Sequence, residues 1–275
     1  MAKGKHHARQ DSARWRSVSL IMVGVVVGML FITPAGAHFK RKIGHLINHM
    51  KGTFYTKAQI DQRATGCRGN GSGDAMVKVG PVCIDKYENS IWTAKTGGTQ
   101  ITGAIPCLAN GQDCKGKIFA RSVAGVAPRA DITWFQAQAA LANSGKRLPT
   151  NAEWQMAAQG TPDSTACNVG TGSVANTGAN AGCISSWGAR DMVGNLWEWV
   201  ADWDEAAWDC ANWSASLGSD RTCVGRGSGE PSSRFPGALY RGGYFGSGSD
   251  AGVFAVHVLS LPSSSSGVIG FRGAR

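Results

Sequence analysis

Three observations predict an α+β domain with two helices, small antiparallel sheets and many loops stapled by disulfides. Helical signals are confined to two short stretches, residues 133–144 and 150–160. Glycine supplies 38 of the 275 residues without a triplet period, about twice the usual share of roughly 7%, as expected where turns dominate. Eight cysteines, an even number, all follow residue 66, and a hydrophobic content of 43% is ample for a buried core.

Residues 1–37 read as a signal peptide or signal anchor. Lys3 to Arg16 is a basic leader, Val18 to Ile32 is an apolar run of 15 residues, and Ala35-Gly36-Ala37 is a small-x-small cleavage site. Cleavage after Ala37 is the preferred reading. An uncleaved anchor is the alternative, since the apolar stretch through Ala37 reaches 20 residues, enough to span a bilayer. Both readings put the rest of the chain outside the cytoplasm, secreted or anchored at the cell surface, with contact to a membrane only through that anchor. Disulfides persist there, and the order of the cysteines suggests neighbour pairs: Cys67 with Cys83, Cys107 with Cys114, Cys167 with Cys183, and Cys210 with Cys223. Eight cysteines nevertheless allow 105 connectivities. A zinc site would want close Cys-x-x-Cys pairs, and the sequence has none.

The net charge of +10 excludes less than it first suggests, because residues 1–51 hold nine Lys/Arg against Asp11 alone, leaving +2 for the other 224 residues. A nearly neutral domain has no continuous basic surface to displace phosphate counterions, so nucleic acid is not an expected partner. Histidine divides in the same way, with His257 alone inside the domain. That count excludes a zinc site built on imidazoles, a Ser-His-Asp or Cys-His relay, and an iron site of two histidines and a carboxylate.

Residues 38–75 form a basic stalk or linker, and the compact domain is read as residues 76–275. It opens with the alternating apolar residues Met76, Val77, Val79, Val82 and Ile84. The first helix, Thr133 to Ser144, aligns Trp134, Ala137 and Leu141 and stops at Gly145. In the second, Thr150-Asn151-Ala152-Glu153 is a capping box, Trp154, Ala157 and Ala158 form the inward stripe, and Gly160 ends it. Residues 161–275 are short apolar pieces between Gly, Ser, Asn and Pro, which implies loops braced by a small sheet. Trp197, Trp199 and Trp203 alternate with polar residues, as in a strand with one buried face.

Four motifs in order carry a resemblance over about Val77 to Arg275: Gly145-Lys146-Arg147-Leu148-Pro149-Thr150-Asn151-Ala152-Glu153-Trp154, Asp191-Met192-Val193-Gly194-Asn195-Leu196-Trp197-Glu198-Trp199, Arg241-Gly242-Gly243, and Gly270-Phe271-Arg272-Gly273-Ala274-Arg275. The set resembles the formylglycine-generating-enzyme, or sulfatase-modifying-factor, family, whose fold is a variant of the C-type lectin fold. Cys83 to Glu88 resembles its opening strand. Asp191 and Glu198 flank a Gly-Asn turn, so two carboxylates and intervening carbonyls could converge on calcium. The resemblance implies a structural calcium held by the side chains of Asp191 and Glu198 and the carbonyls of Gly194 and Leu196. Two solvated or ion-paired carboxylates are the alternative.

The enzymatic side of the resemblance fails at the nucleophile. The family's oxidases use a cysteine pair near the C-terminal Gly-Phe-Arg motif to bind copper, whereas the last cysteine here is Cys223. No thiolate lies between Arg241 and Arg275 to hold a soft metal. The acidic run Asp202, Asp204, Glu205 and Asp209 reads as a solvated loop or a second cation site.

The segment 241–272 is similar instead to the variable region of diversity-generating-retroelement target proteins, which use the same fold. In that family, adenines of a template repeat are randomised, and the altered side chains line an exposed ligand-binding face. Randomising AAC codons can never yield Lys, Glu, Gln, Met or Trp, and Tyr244 to Val268 contains none of these. By position, the resemblance places ligand contacts at Tyr244, Gly246, Ser247, Asp250, His257, Leu259, Ser260, Ser264, Ser266 and Val268, with Phe245 beside them. An aromatic anchor among Ser and Gly suits such a face. Val253, Phe254, Ile269 and Phe271 are expected to anchor the segment as buried strands. The resulting expectation is a non-catalytic exported protein that binds an external protein or cell-surface ligand. The alternatives are a formylglycine-generating-type oxidase or related sulfatase-modifying enzyme, and a fixed-specificity calcium-dependent lectin.

Overall fold

The computed structural model describes residues 66–71, 73–206, 210–213, 219–224 and 236–275. The signal segment 1–37 and residues 38–65 of the stalk lie outside them. Among the described residues no helix is long and apolar enough to cross a membrane.

The chain is α+β and rich in loops. Strands β1 (Met76–Val79) and β2 (Val82–Asp85) form an antiparallel hairpin whose turn uses Gly80 at φ +52°. Met76, Val79 and Ile84 bury their side chains. Strands β3 (Ser90–Trp92) and β4 (Phe119–Arg121) make a second antiparallel pair.

Both helices start and stop where the sequence signals them. Helix α1 (Trp134–Asn143) is capped by Thr133, and its capping box is completed by Gln136, a partner the sequence analysis did not invoke. Helix α2 (Asn151–Ala158) has the expected Thr150–Glu153 box. Gly145 and Gly160 follow at φ +69° and +76°, a left-handed turn that glycine adopts without strain. Trp154, Ala157 and Ala158 are buried, as their spacing requires.

The remainder is organised by one six-stranded sheet in the order β10-β5-β8-β9-β7-β6. Its strands are β5 (Trp197–Glu205), β6 (Ala211–Asn212), β7 (Arg221–Cys223), β8 (Pro236–Arg241), β9 (Val256–Ser260) and β10 (Ile269–Phe271). The sheet is mixed rather than purely antiparallel: β10 runs parallel to β5, and β7 parallel to β9. One core cluster, with Leu141, Trp197, Trp199, Tyr240 and Phe271, packs on one face, and a second, with Trp154, Val200, Leu239, Val256 and Val258, packs on the other. Successive strand residues point to opposite faces, which divides Leu239 from Tyr240 in this way.

All four disulfides join neighbouring cysteines: Cys67–Cys83, Cys107–Cys114, Cys167–Cys183 and Cys210–Cys223. Three details depart from the sequence expectation. Packing begins before Met76, because Cys67 is buried in its disulfide and the buried carboxylates of Asp74 and Asp85 both accept from Lys146 Nζ, at 2.8 and 2.7 Å. Trp203 is 43% exposed, because the pairing of β5 with β8 shifts register between Trp199 and Trp203. Val253 and Phe254 are half-buried and precede the anchoring strand, whose buried residues are Val256 and Val258, whereas Ile269 and Phe271 are buried as expected.

Candidate ligand-binding face

Strand β8 delivers the chain to the candidate face through Arg241, Gly242 and Gly243. The Arg241 guanidinium is buried over the Trp154 ring, 4.8 Å from its centroid. It donates to Asn151 Oδ1 (2.6 Å), to the Val253 carbonyl (2.9 Å) and to Gln155 Oε1. Burial lowers its pKa to about 10, partly offset by the Asp220 charge. Gly242 sits at φ +93°, where an added Cβ would lie 2.7 Å from the Met192 carbonyl oxygen and 3.1 Å from the Trp154 ring. A side chain has no room there.

Beyond these anchors none of the eleven proposed contact residues is buried. Gly246 is exposed, and Tyr244, Phe245, Ser247, Asp250, His257, Leu259, Ser260, Ser264, Ser266 and Val268 are partly exposed. Tyr244 and Phe245 pack edge to face at 5.1 Å between ring centroids. Tyr244, Leu259 and Val268 rest on the same core cluster, and His257 lies on the Trp197 ring at 4.5 Å and near Tyr240 at 5.6 Å. These residues therefore share one face of the sheet. Asp250 stands apart from the apolar group and pairs with Arg221 at 3.4 Å.

The segment is held mainly through its backbone. Phe245 N donates to the Asn195 carbonyl (3.0 Å), and Gly172 N to the Phe245 carbonyl (3.3 Å). Trp134 N, Asp131 N and Trp197 N donate to the carbonyls of Pro262, Ser266 and Val268 at 3.1, 3.0 and 2.9 Å. Side-chain bonds within the set are few and local, such as Ser247 Oγ accepting from Tyr244 N at 3.0 Å. Backbone groups are the same whatever side chain they carry, so this anchoring does not depend on residue identity.

His257 is not placed as an acid or base. Its Nε2 is buried with no hydrogen-bond partner among the described residues. Burial, and then the charge of Arg221, push its pKa down to about 4, against a weaker pull from Asp250. Of the acidic run, Asp202 Oδ2 accepts from Asn151 N at 2.5 Å, Asp204 and Glu205 lie in β5, and Asp209 falls outside the described residues.

The second expected site, Asp191, Gly194, Leu196 and Glu198, is built around a guanidinium. Arg272 is buried and donates from Nε and Nη2 to the two oxygens of Glu198, both at 2.5 Å. Its remaining donors reach the carbonyls of Asp85 (3.0 Å), Arg190 (2.9 Å) and Asp191 (3.4 Å). Trp154 Nε1 adds a third bond to Glu198 at 2.7 Å. Burial works against the Arg272 cation, but the Glu198 carboxylate outweighs it and holds the guanidinium above its ordinary value.

Asp191 and Asn195 adopt φ of +56° and +59°, and Asp191 Oδ2 accepts from Gly178 N at 2.6 Å. Glu88 accepts from Asn195 Nδ2 (2.5 Å) and Leu196 N (3.0 Å). Burial, then the charges of Asp191 and Glu198, push the Glu88 carboxyl well up, and burial raises Asp191 to about 6. A calcium held by Glu198 would have to share a carboxylate whose two oxygens already accept three hydrogen bonds, two from Arg272 and one from Trp154. The carboxylate at 198 is ion-paired, and its neutralising charge comes from within the chain. Sequence reasoning missed Glu88, Asn195 and Arg272 as its neighbours, although all three lie inside motifs it had singled out.

Residues 50–275 match the family described as "Sulfatase-modifying factor enzyme 1-like domain". The formylglycine-generating enzyme of Thermomonospora curvata is 36% identical over 106 residues, covering 30% of this chain and 35% of that protein. That of Streptomyces coelicolor is 29% identical over 174 residues, covering 54% of this chain and 52% of that protein. The chain thus spans between about a third and about half the length of these two relatives. Among solved structures, the Major Tropism Determinant P3c variant superposes with a TM-score of 0.47 and 24% identity, over 74% of this chain and 52% of its own.

Proposed function

The chain belongs to the family of sulfatase-modifying factor enzyme 1-like domains and has an α+β fold, and we propose that this member, with a fold of the C-type lectin class, binds an external ligand and catalyses no reaction. The observation that carries the reading is the contrast in burial along residues 241–272. Every proposed contact residue reaches solvent, while Arg241, Gly242, Gly243, Val256, Val258 and Ile269 to Arg272 are buried around them. Such a segment can change its outward side chains while the anchors hold its path. The partly exposed pair Tyr244 and Phe245 offers aromatic area at low entropic cost, and Ser and Gly offer adaptable polar contacts.

The non-catalytic reading rests on the thiols. All eight cysteines of the chain are consumed in disulfides, leaving no thiolate for copper chemistry. Four disulfides also favour an exported protein, secreted or at a cell surface.

The direct test is a library randomised at the eleven positions and displayed on an otherwise unaltered scaffold. Selection against unrelated protein targets is expected to yield folded binders whose specificities differ only through those positions. Recovery of misfolded clones alone would reject the proposal. In the DNA around the coding region, a near-copy of the 3′ segment differing at adenines, beside a reverse transcriptase gene, is expected as well. An oxidase is the second reading, favoured by the identity to the two enzymes above. Incubation with a cysteine-containing sulfatase peptide and copper decides it, since turnover to formylglycine would replace the present proposal.

A further inference from the structure

The turn that presents the aromatic pair, residues 244–248, is seated on two other stretches of chain by three backbone bonds. Phe245 N donates to the Asn195 carbonyl (3.0 Å), Gly172 N to the Phe245 carbonyl (3.3 Å), and Gly248 N to the Val169 carbonyl (2.7 Å). Two of the three partners belong to the loop 167–175, which forms neither helix nor strand beyond a single bridge from Asn168 to Gly194. A loop without a ladder of its own takes its path from side-chain bonds.

Those bonds come from Asn168, Thr171 and Asn195. Asn168 is buried; its Oδ1 accepts from Thr171 Oγ1 (2.5 Å), and its Nδ2 donates to the Ser173 carbonyl (3.0 Å) and to Asn195 Oδ1 (2.9 Å). Asn195 is buried too, and its side-chain amide is fully used: Oδ1 also accepts from Ala175 N (2.8 Å), and Nδ2 donates to the Ala175 carbonyl (3.2 Å) and to Glu88 Oε2 (2.5 Å). Asn195 N closes the set on the Asn168 carbonyl at 2.8 Å. Asn195 stands at φ +59°, a left-handed conformation that asparagine adopts more readily than most residues, and its carbonyl is the one that receives Phe245 N.

We infer that Asn168, Thr171 and Asn195 are positioning residues that fix where the aromatic turn stands, so that Tyr244 and Phe245 form a pre-set end of the binding face. The inference rests on the ligand-binding reading and deepens it. All three residues lie outside 241–272, so they stay the same whatever the displayed positions carry, and a turn already held in place needs less ordering when a ligand arrives. The far end of the face hangs on other residues, since the carbonyls of Pro262, Ser266 and Val268 accept from Trp134 N, Asp131 N and Trp197 N. The two ends are therefore positioned separately.

The test reads both ends of the full chain, by amide hydrogen exchange and with two single-domain antibody fragments raised against it. One fragment is chosen because Phe245→Ala abolishes its binding, the other because Ser264→Tyr does. In Asn168→Ala, the amides of Phe245 and Gly248 are expected to exchange at least about tenfold faster, while those of Asp131 and Trp197 keep the parent rate. The first fragment is expected to bind at least about tenfold more weakly and the second within about twofold of the parent. If Asn168→Ala does not fold, Thr171→Val, at an exposed position, gives the same pair of readings, and Thr171→Ser, which keeps the hydroxyl, is expected to restore the parent values. Equal change at both ends would overturn the inference, as would unchanged exchange at Phe245 and Gly248. Neither reading needs a natural ligand, so failure of the display library leaves this result standing and the two proposals fail separately.

Discussion

Replacing Arg272 with methionine removes a buried guanidinium at nearly constant volume, and its cost can be worked from the contacts. The substitution deletes two charge-assisted bonds to Glu198 and three to the carbonyls of Asp85, Arg190 and Asp191. It leaves Glu198 buried beside Glu88 and Asp191 with only Trp154 Nε1 as a remaining donor to it. Breaking a buried pair from one side costs about 3–5 kcal/mol, against a total stability of about 5–15 kcal/mol for a domain. The loss should depend on pH. Carboxyls whose folded pKa lies above the unfolded value favour the fold at low pH and lose that contribution as pH rises through the folded value. Removing the cation raises Glu88 and Asp191 further, so the deficit of Arg272→Met is expected to be largest at pH 7 and smaller at pH 5. Urea unfolding followed by tryptophan fluorescence, with disulfides intact, measures both. A deficit below about 1 kcal/mol at pH 7, or one that grows on acidification, would refute the assignment of Arg272 as the internal counter-charge.

Other positions are expected to respond according to their anchoring. Tyr244→Ser, Ser260→Asn and Ser264→Tyr should each change stability by less than about 1 kcal/mol in the same urea experiment, as surface substitutions usually do. Gly242→Ala is expected to destabilise by about 2 kcal/mol or more, since it combines a positive φ with the Cβ contact at 2.7 Å to the Met192 carbonyl oxygen. His257→Phe should flatten the acid side of the stability profile. The parent histidine has a folded pKa of about 4, below its unfolded value of 6.5, so its contribution is present at neutral pH and lost as pH falls through that window. Comparison of urea midpoints at pH 7 and 4.5 checks this, and an unchanged difference between the two proteins would contradict it.

The sequence was most readable where structure is local. Thr150 and Glu153, three residues apart, announce their helix, and glycines mark both helix ends because the left-handed turn needs them. The disulfide pairs are short-range, and the neighbour rule suffices. The sheet was less readable because β6, β7 and β10 have two or three residues each, too few for a period, and are paired by distant segments. The candidate face was legible as a stretch of chain, but its anchors were displaced by a few residues, since Val253 to Val258 are all apolar or small apart from His257 and do not signal where β9 begins. The acidic centre was only partly legible for a different reason. Asp191 and Glu198 are seven residues apart and invite a local cage, while the residue that neutralises Glu198 lies 74 positions away.

The pair between Glu198 and Arg272 ties β5 to the residue after β10, so it encloses the whole of 244–268. A shifted reading frame or a stop codon within 244–268 removes β10 and Arg272 together. Such a product carries an unneutralised Glu198 and leaves an edge of β5 unpaired. Under the proposed function, substitutions in the displayed stretch keep that closing arginine, whereas loss of frame does not.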